Sequence, residues 1–139
     1  MITGVNHITL SVSDLILSIE FYRLLGAKAH VRWENGASLS LGDLWLCLSL
    51  CDIPYSPLST KGDYTHIALN VDRVELTNFR RNISELNIKT WQENRSEGES
   101  LYILDPDGHK LELHVGSLQS RLDSLKAKPY QGLVWYNEL

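Results

Sequence analysis

Cysteine, proline and methionine are all scarce here: two, four and one of them in 139 residues. Two cysteines cannot build the dense disulfide framework that holds small secreted domains together. Cys47 and Cys51 sit four apart around a strand end, where a bond would close a trivially short loop, so reduced thiols in a cytoplasmic protein are expected. No second pair accompanies them, which leaves a zinc site on these thiols the weaker reading. Long apolar runs are also missing, although 43% of the residues are hydrophobic; that suffices for a core and excludes a membrane-spanning helix. There is no basic excess, with 13 Lys and Arg against 17 Asp and Glu, so neither nucleic acid nor a membrane is an expected partner. Met1 leads directly into a strand pattern, without a secretory leader.

What the chain does have is a repeat. Val5-Asn6-His7-Ile8-Thr9-Leu10-Ser11-Val12 reads against Tyr64-Thr65-His66-Ile67-Ala68-Leu69-Asn70-Val71. In both copies a histidine opens a strand-like alternation and a stretch of helical period follows. Residues 5–12 place Val5, His7, Thr9 and Ser11 on one face and Asn6, Ile8, Leu10 and Val12 on the other. Ser11, Ser13 and Asp14 then signal a helix start, Leu15, Ile19 and Tyr22 its apolar face, and Gly26 its end. Strands follow at Lys28–Trp33, 37–41 and Leu44–Leu50, with Asn35-Gly36 and Gly42-Asp43 as the turns.

Residues 53–62, with Pro54, Pro57 and Gly62, read as a linker. The second half repeats the order. It predicts a strand over 64–71, a helix opened by Asp72 and Glu75 and carrying Leu76, Phe79, Ile83 and Leu86, and strands at 89–92, 100–104 and Lys110–Val115. The turn Asp105-Pro106-Asp107-Gly108 separates the last two strands. A short helix through Arg121 and Leu125 leads into a tail with Pro129, Tyr130 and Gly132. The expected fold is therefore α+β: one domain over 1–139 made of β-α-β-β-β modules 1–52 and 63–116, the linker 53–62, and a C-terminal helix and tail over 117–139. Each module's helix covers one sheet face. Two halves curling around a shared cleft would cover the other.

Two histidines at equivalent points of a repeat can meet across its pseudo-symmetry axis. Glu112, between Leu111 and Leu113 on an apolar strand, is expensive to bury without a partner. His7, His66 and Glu112 thus form a candidate metal site whose donor set suits manganese, iron, zinc, cobalt or nickel. The ligands alone do not choose between redox and Lewis-acid chemistry. His30, His109 and His114 read as ordinary core or surface residues, His114 with a supporting part through its nearness to Glu112. The loop Asn94-Arg95-Ser96-Glu97-Gly98-Glu99-Ser100 reads as solvated on composition. It is also rich enough in oxygens to hold a monovalent cation. Arg95, Arg121 and the hydroxyls of Thr9, Ser96 and Tyr102 are candidate partners for an anionic group.

With these pieces together the chain resembles the vicinal oxygen chelate superfamily and, within it, the FosA-type fosfomycin resistance glutathione transferases. The resemblance runs through "GVNHITLSVSDL", "GDLWLCLS", "DYTHIAL", "NRSEGES", "YILDPDGHKLELHVGSLQSRL" and "KPYQG", essentially the whole chain, and the "NRSEG" loop is its discriminating piece. It implies Mn2+ bound by His7, His66 and Glu112, and K+ bound by Asn94, Ser96, Glu97, Gly98 and Ser100. It places Thr9, Trp45, Ser96, Tyr102 and Arg121 around the drug, with Tyr64 close by and Gln92 where the family has a phosphonate-contacting lysine. Trp33, Asn35, Ser49, Arg95 and Tyr130 fall near the implied thiol channel. The family's homodimer pairs halves of two chains, so His7 and the pair His66/Glu112 would come from different subunits.

The implied reaction is metal-assisted opening of the fosfomycin epoxide by the glutathione thiol, with Thr9 donating a hydrogen bond near the oxirane oxygen. Gln92 keeps a hydrogen bond but loses a charge. At roughly 1.5–3 kcal/mol for a charge-assisted bond, that weakens phosphonate binding about tenfold to hundredfold. Ser38 stands where the family typically has a tyrosine, whose proposed part in thiol positioning does not carry over. The rivals are an epoxide hydrolase, a bacillithiol or cysteine transferase, an iron extradiol dioxygenase and a metal-free drug-binding protein. Against them stand, in turn, the absence of an extended acidic loop before Leu44-Trp45, the "NRSEG" loop, the chain's shortness and the presence of all three metal ligands.

Overall fold

The computed structural model describes residues 1–52, 63–94 and 97–137; the expected linker and both Arg95 and Ser96 lie outside them. The elements run β1 (His7–Val12), α1 (Leu15–Leu24), β2 (Lys28–Trp33), β3 (Gly36–Leu41), β4 (Leu44–Leu50), β5 (Ile67–Asn70), α2 (Arg73–Asn82), β6 (Thr90–Gln92), β7 (Glu99–Leu104), β8 (Lys110–Val115) and α3 (Leu118–Ala127). Two four-stranded sheets result, ordered β1-β4-β3-β2 and β5-β8-β7-β6. In each, the first strand pairs in parallel with the last. The repeat in sequence is thus a repeat in topology, and the fold is α+β of the vicinal oxygen chelate type. Two compact units are formed, Met1–His66 with Leu104–Lys110, and Ile67–Ile103 with Leu111–Leu139. No helix among the described residues is long and apolar enough to cross a membrane.

Alternation decides the faces of the first sheet. Leu10 and Val12 of β1, Ala37 and Leu39 of β3, and Leu46 and Leu48 of β4 are buried, as are Leu15, Ile19, Phe21 and Tyr22 of α1. Each such aliphatic or aromatic side chain contributes on the order of 1.5–3 kcal/mol on burial. The opposite face of β1 presents His7, Thr9 and Ser11, all exposed within the single chain. In the second sheet Leu101, Ile103, Leu111 and Leu113 are buried, and Leu76 of α2 is fully so.

The helix ends match as well. Asp14 caps α1 by accepting from the Leu17 N–H, and Asp72 caps α2 by accepting from the Glu75 N–H. After α1, Ala27 N–H bonds Tyr22 C=O and Gly26 N–H bonds Arg23 C=O, with Gly26 at φ +98°. After α2, Ile88 N–H bonds Ile83 C=O and Asn87 N–H bonds Ser84 C=O, with Asn87 at φ +55°. Both are Schellman closures on a left-handed residue. Ile83 and Leu86, expected within the helix, therefore fall in the closing turns beyond Asn82. β5 begins at Ile67 rather than at residue 64, and β3 one residue early, at Gly36.

The turn Asp105-Pro106-Asp107-Gly108 packs within the first unit. Asp105 is buried and accepts from the Tyr22 hydroxyl at 2.8 Å and from the N–H groups of Asp107 and His109 at 3.0 and 2.8 Å. Burial pushes its carboxyl above the usual carboxylate range, opposed by nearby His109 and by these hydrogen bonds. Asp107 accepts from the Ser13 N–H, and His109 Nε2 donates to the Ser11 carbonyl.

Candidate metal and substrate site

Register gathers the first unit's candidate residues on one sheet face. His7 pairs with Trp45, Thr9 with Cys47 and Ser11 with Ser49. Across β3 these continue to Ser40, Ser38 and Gly36, and Gly36 pairs with Trp33 of β2. His7, Thr9, Trp45, Ser49 and Trp33 therefore share the face turned away from α1. The His7 and Trp45 rings lie 4.6 Å apart, and the Trp45 indole N–H donates to Ser38 Oγ at 2.9 Å. Ser38, where the resemblance leads one to expect tyrosine, thus holds Trp45. Trp33 lies over Gly36, where a Cβ would come within 2.6 Å of the indole. Asn35 is in the adjoining turn, its carbonyl accepting from the Leu50 N–H.

Both candidate histidines have their Nδ1 engaged. His7 Nδ1 lies 2.6 Å from Asn6 Oδ1, and His66 Nδ1 lies 2.6 Å from the Tyr64 carbonyl. An oxygen that only accepts fixes the proton on Nδ1, so the neutral ring carries its lone pair on Nε2, the state a metal requires. The Tyr64 ring also packs edge-on to His66 at 4.8 Å.

In the second unit Glu112 is only 7% exposed. Its Oε1 accepts from Ser100 Oγ at 2.6 Å and lies 3.3 Å from His114 Nδ1, while Ser100 Oγ is itself 2.6 Å from His114 Nδ1. The loop before β7 is closed by Asn94 Nδ2 donating to the Gly98 carbonyl at 2.9 Å. Arg121 of α3 donates through Nε to Glu97 Oε2 at 3.3 Å, so a candidate drug-binding cation and a candidate K+ ligand meet directly. Ser100 also accepts from Arg80 through its carbonyl. Gln92 pairs in register with Tyr102, which is 2% exposed and meets Trp91 edge-on at 5.1 Å. Tyr130 is exposed in the tail.

Two imidazole Nε2 atoms and one carboxylate are, by their chemistry, a donor set that would suit a divalent first-row ion. Among the described residues of one chain, no three His, Cys, Asp or Glu side chains are gathered closely enough to hold a metal. Cys47 and Cys51 are free thiols. The sequence reading missed the contacts that orient the site: Asn6 on His7, Ser38 on Trp45, and Trp91 on Tyr102 and the Leu111 carbonyl. Only Asn6, beside its histidine, left a local signal.

Comparison with known proteins shows the family. The Glyoxalase/Bleomycin resistance protein/Dioxygenase superfamily matches residues 4–113. Glutathione transferase FosA of Serratia marcescens is 45% identical over 139 residues, covering 99% of each chain. Metallothiol transferase FosB of Staphylococcus haemolyticus is 43% identical, covering 94% of this chain and 96% of its own. A fosfomycin resistance protein FosX variant from Listeria monocytogenes, complexed with Mn(II) and 1S,2S-dihydroxypropylphosphonic acid, superposes with a TM-score of 0.77 at 28% identity, covering 88% of this chain and 99% of that one. The repeated β-α-β-β-β topology and the full-length identity agree: the chain belongs to the Glyoxalase/Bleomycin resistance protein/Dioxygenase superfamily and, within it, to the FosA-type glutathione transferases.

Proposed function

We propose that this chain is a metal-dependent thiol transferase that adds glutathione to the epoxide of fosfomycin and so confers resistance to it. The observation that carries the reading is the 45% identity to glutathione transferase FosA over 99% of both chains. His7 of one subunit and His66 and Glu112 of the other hold Mn2+ in a homodimer. The Mn(II) in the FosX complex supports that choice of metal. When bound, the ion supplies Lewis-acid stabilisation of the negative charge that develops on the epoxide oxygen.

The chain's own residues bind, orient and exclude. Thr9, on the face shared with His7 and Trp45, donates its hydroxyl hydrogen bond near the oxirane oxygen. Tyr102, Tyr64, Gln92, Ser96 and Arg121 hold the phosphonate, and Trp45 closes one wall. Asn94, Ser96, Glu97, Gly98 and Ser100 hold K+ beside it; the Asn94 side-chain N–H that donates to the Gly98 carbonyl brings two of these residues together. Trp33, Asn35, Ser49, Arg95 and Tyr130 line the thiol approach, with Trp33 and Ser49 on one sheet face. The sulfur bonds to an epoxide carbon as the C–O bond breaks, and the oxygen takes up the proton lost by the thiol. The cytoplasm, where reduced glutathione is available, is the proposed location.

Product analysis tests the reading against its relatives. Fosfomycin is supplied with equal glutathione, cysteine and bacillithiol, and the products are separated by mass. The expected main product is the glutathione adduct. A diol makes the protein a hydrolase, and a bacillithiol or cysteine adduct reassigns the donor.

A further inference from the structure

Three side chains on β7 and β8 make a directed hydrogen-bond chain. Ser100 Oγ lies 2.6 Å from Glu112 Oε1 and 2.6 Å from His114 Nδ1. The hydroxyl has one proton to give. An ionised carboxylate only accepts, so that proton goes to Glu112, and His114 must then be the donor to Ser100 through Nδ1–H. The order is His114 Nδ1–H to Ser100 Oγ–H to Glu112 Oε1. Ser100 is 3% exposed and Glu112 7%, so water does not compete for these bonds.

The backbone makes room for this imidazole. A Cβ on Gly116 would lie 2.5 Å from His114 Nε2. A Cβ on Gly98 would lie 2.5 Å from the Val115 carbonyl and 2.9 Å from His114 Cε1, and Gly98 adopts φ +81°. Two glycines thus leave a slot for the ring, and Asn94 holds the Gly98 carbonyl.

We propose that His114 is a positioning residue for Glu112, acting through the Ser100 hydroxyl to set the carboxylate for the metal. The inference rests on the metal reading above. It assigns Ser100 a side-chain task besides any part in holding K+, and it turns the glycines on both sides of His114 into supports of the metal site.

The test is Mn2+ titration in potassium-free buffer, reading the electron paramagnetic resonance signal of unbound Mn2+, with unfolding of the metal-free proteins followed in parallel. Ser100→Ala and His114→Leu are expected to weaken Mn2+ binding about tenfold to hundredfold. His114→Asn, whose amide donates from near the Nδ1 position, is expected to recover most of that loss. The Ser100→Ala/His114→Leu double variant is expected to lose less than the two single losses combined, because both side chains act on the same Glu112 oxygen. Wild-type affinity in both single variants overturns the inference, as does an Asn variant no better than Leu. If His114→Leu fails to fold, wild-type affinity in Ser100→Ala overturns the inference by itself, and weakened binding there with near-normal binding in His114→Asn upholds it. Failure of the wild type to bind Mn2+ sinks the metal reading itself, and the inference with it.

Discussion

The Tyr22 hydroxyl donates to the Asp105 carboxylate across 2.8 Å, with Tyr22 1% and Asp105 5% exposed. This bond ties α1 to a turn 83 positions along the chain. Tyr22→Phe removes one donor from a buried carboxylate and is expected to destabilise the fold by about 1–3 kcal/mol. Urea unfolding checks it; an unchanged midpoint at unchanged slope contradicts it.

Asp105 also gives the fold a pH dependence of definite sign. Burial raises its folded-state pKa above the ordinary value of about 3.9. The native chain therefore holds this proton to higher pH than the unfolded chain. The associated stability is fully present below about pH 3.9 and is lost as pH rises through the folded-state value. The wild type should lose stability relative to Asp105→Asn as pH rises through that window, then run parallel to it. Tyr22 follows the same sign at the alkaline end, since burial and the carboxylate raise its phenol pKa as well. Denaturation of both proteins across pH measures the difference, and a wild type gaining on Asp105→Asn with rising pH refutes the assignment.

These two residues show where the sequence stopped being legible. Local chemistry announced the strands, the helix caps and the Asp105-Pro106-Asp107-Gly108 turn, and the repeat announced the equivalence of His7 and His66. It also held a cue left unread: Asn87 stands where Gly26 stands, and both are the left-handed residues that close a helix. Continued apolar spacing through Ile83 and Leu86 masked that stop. The partnership of Tyr22 with Asp105, of Ser100 with His114, and of Ser38 with Trp45 depends on packing between elements, which no spacing rule reports.

Gln92 pairs with Tyr102 at a position where a charge is expected to help. Restoring it with Gln92→Lys should raise kcat/KM for fosfomycin about tenfold to hundredfold, at roughly 1.5–3 kcal/mol for the charge-assisted bond. Steady-state kinetics at saturating glutathione decides. No gain would mean that the missing charge at this position does not limit phosphonate binding.

If the metal site draws His7 from one subunit and Glu112 from the other, inactive variants should rescue each other. His7→Ala and Glu112→Gln, each inactive alone, should recover about a quarter of wild-type activity after random subunit exchange. Half the dimers are then mixed, and each mixed dimer keeps one intact site of two. No recovery despite demonstrated exchange places all ligands within one chain.

The central claim, metal-dependent transfer of glutathione to fosfomycin, is tested most directly by following adduct formation in protein stripped of metal with a chelator and then reconstituted. No turnover is expected from the stripped protein, with recovery on adding Mn2+ and a further rise with K+. Turnover that survives chelation, or Mn2+ that binds while no adduct forms, would contradict it.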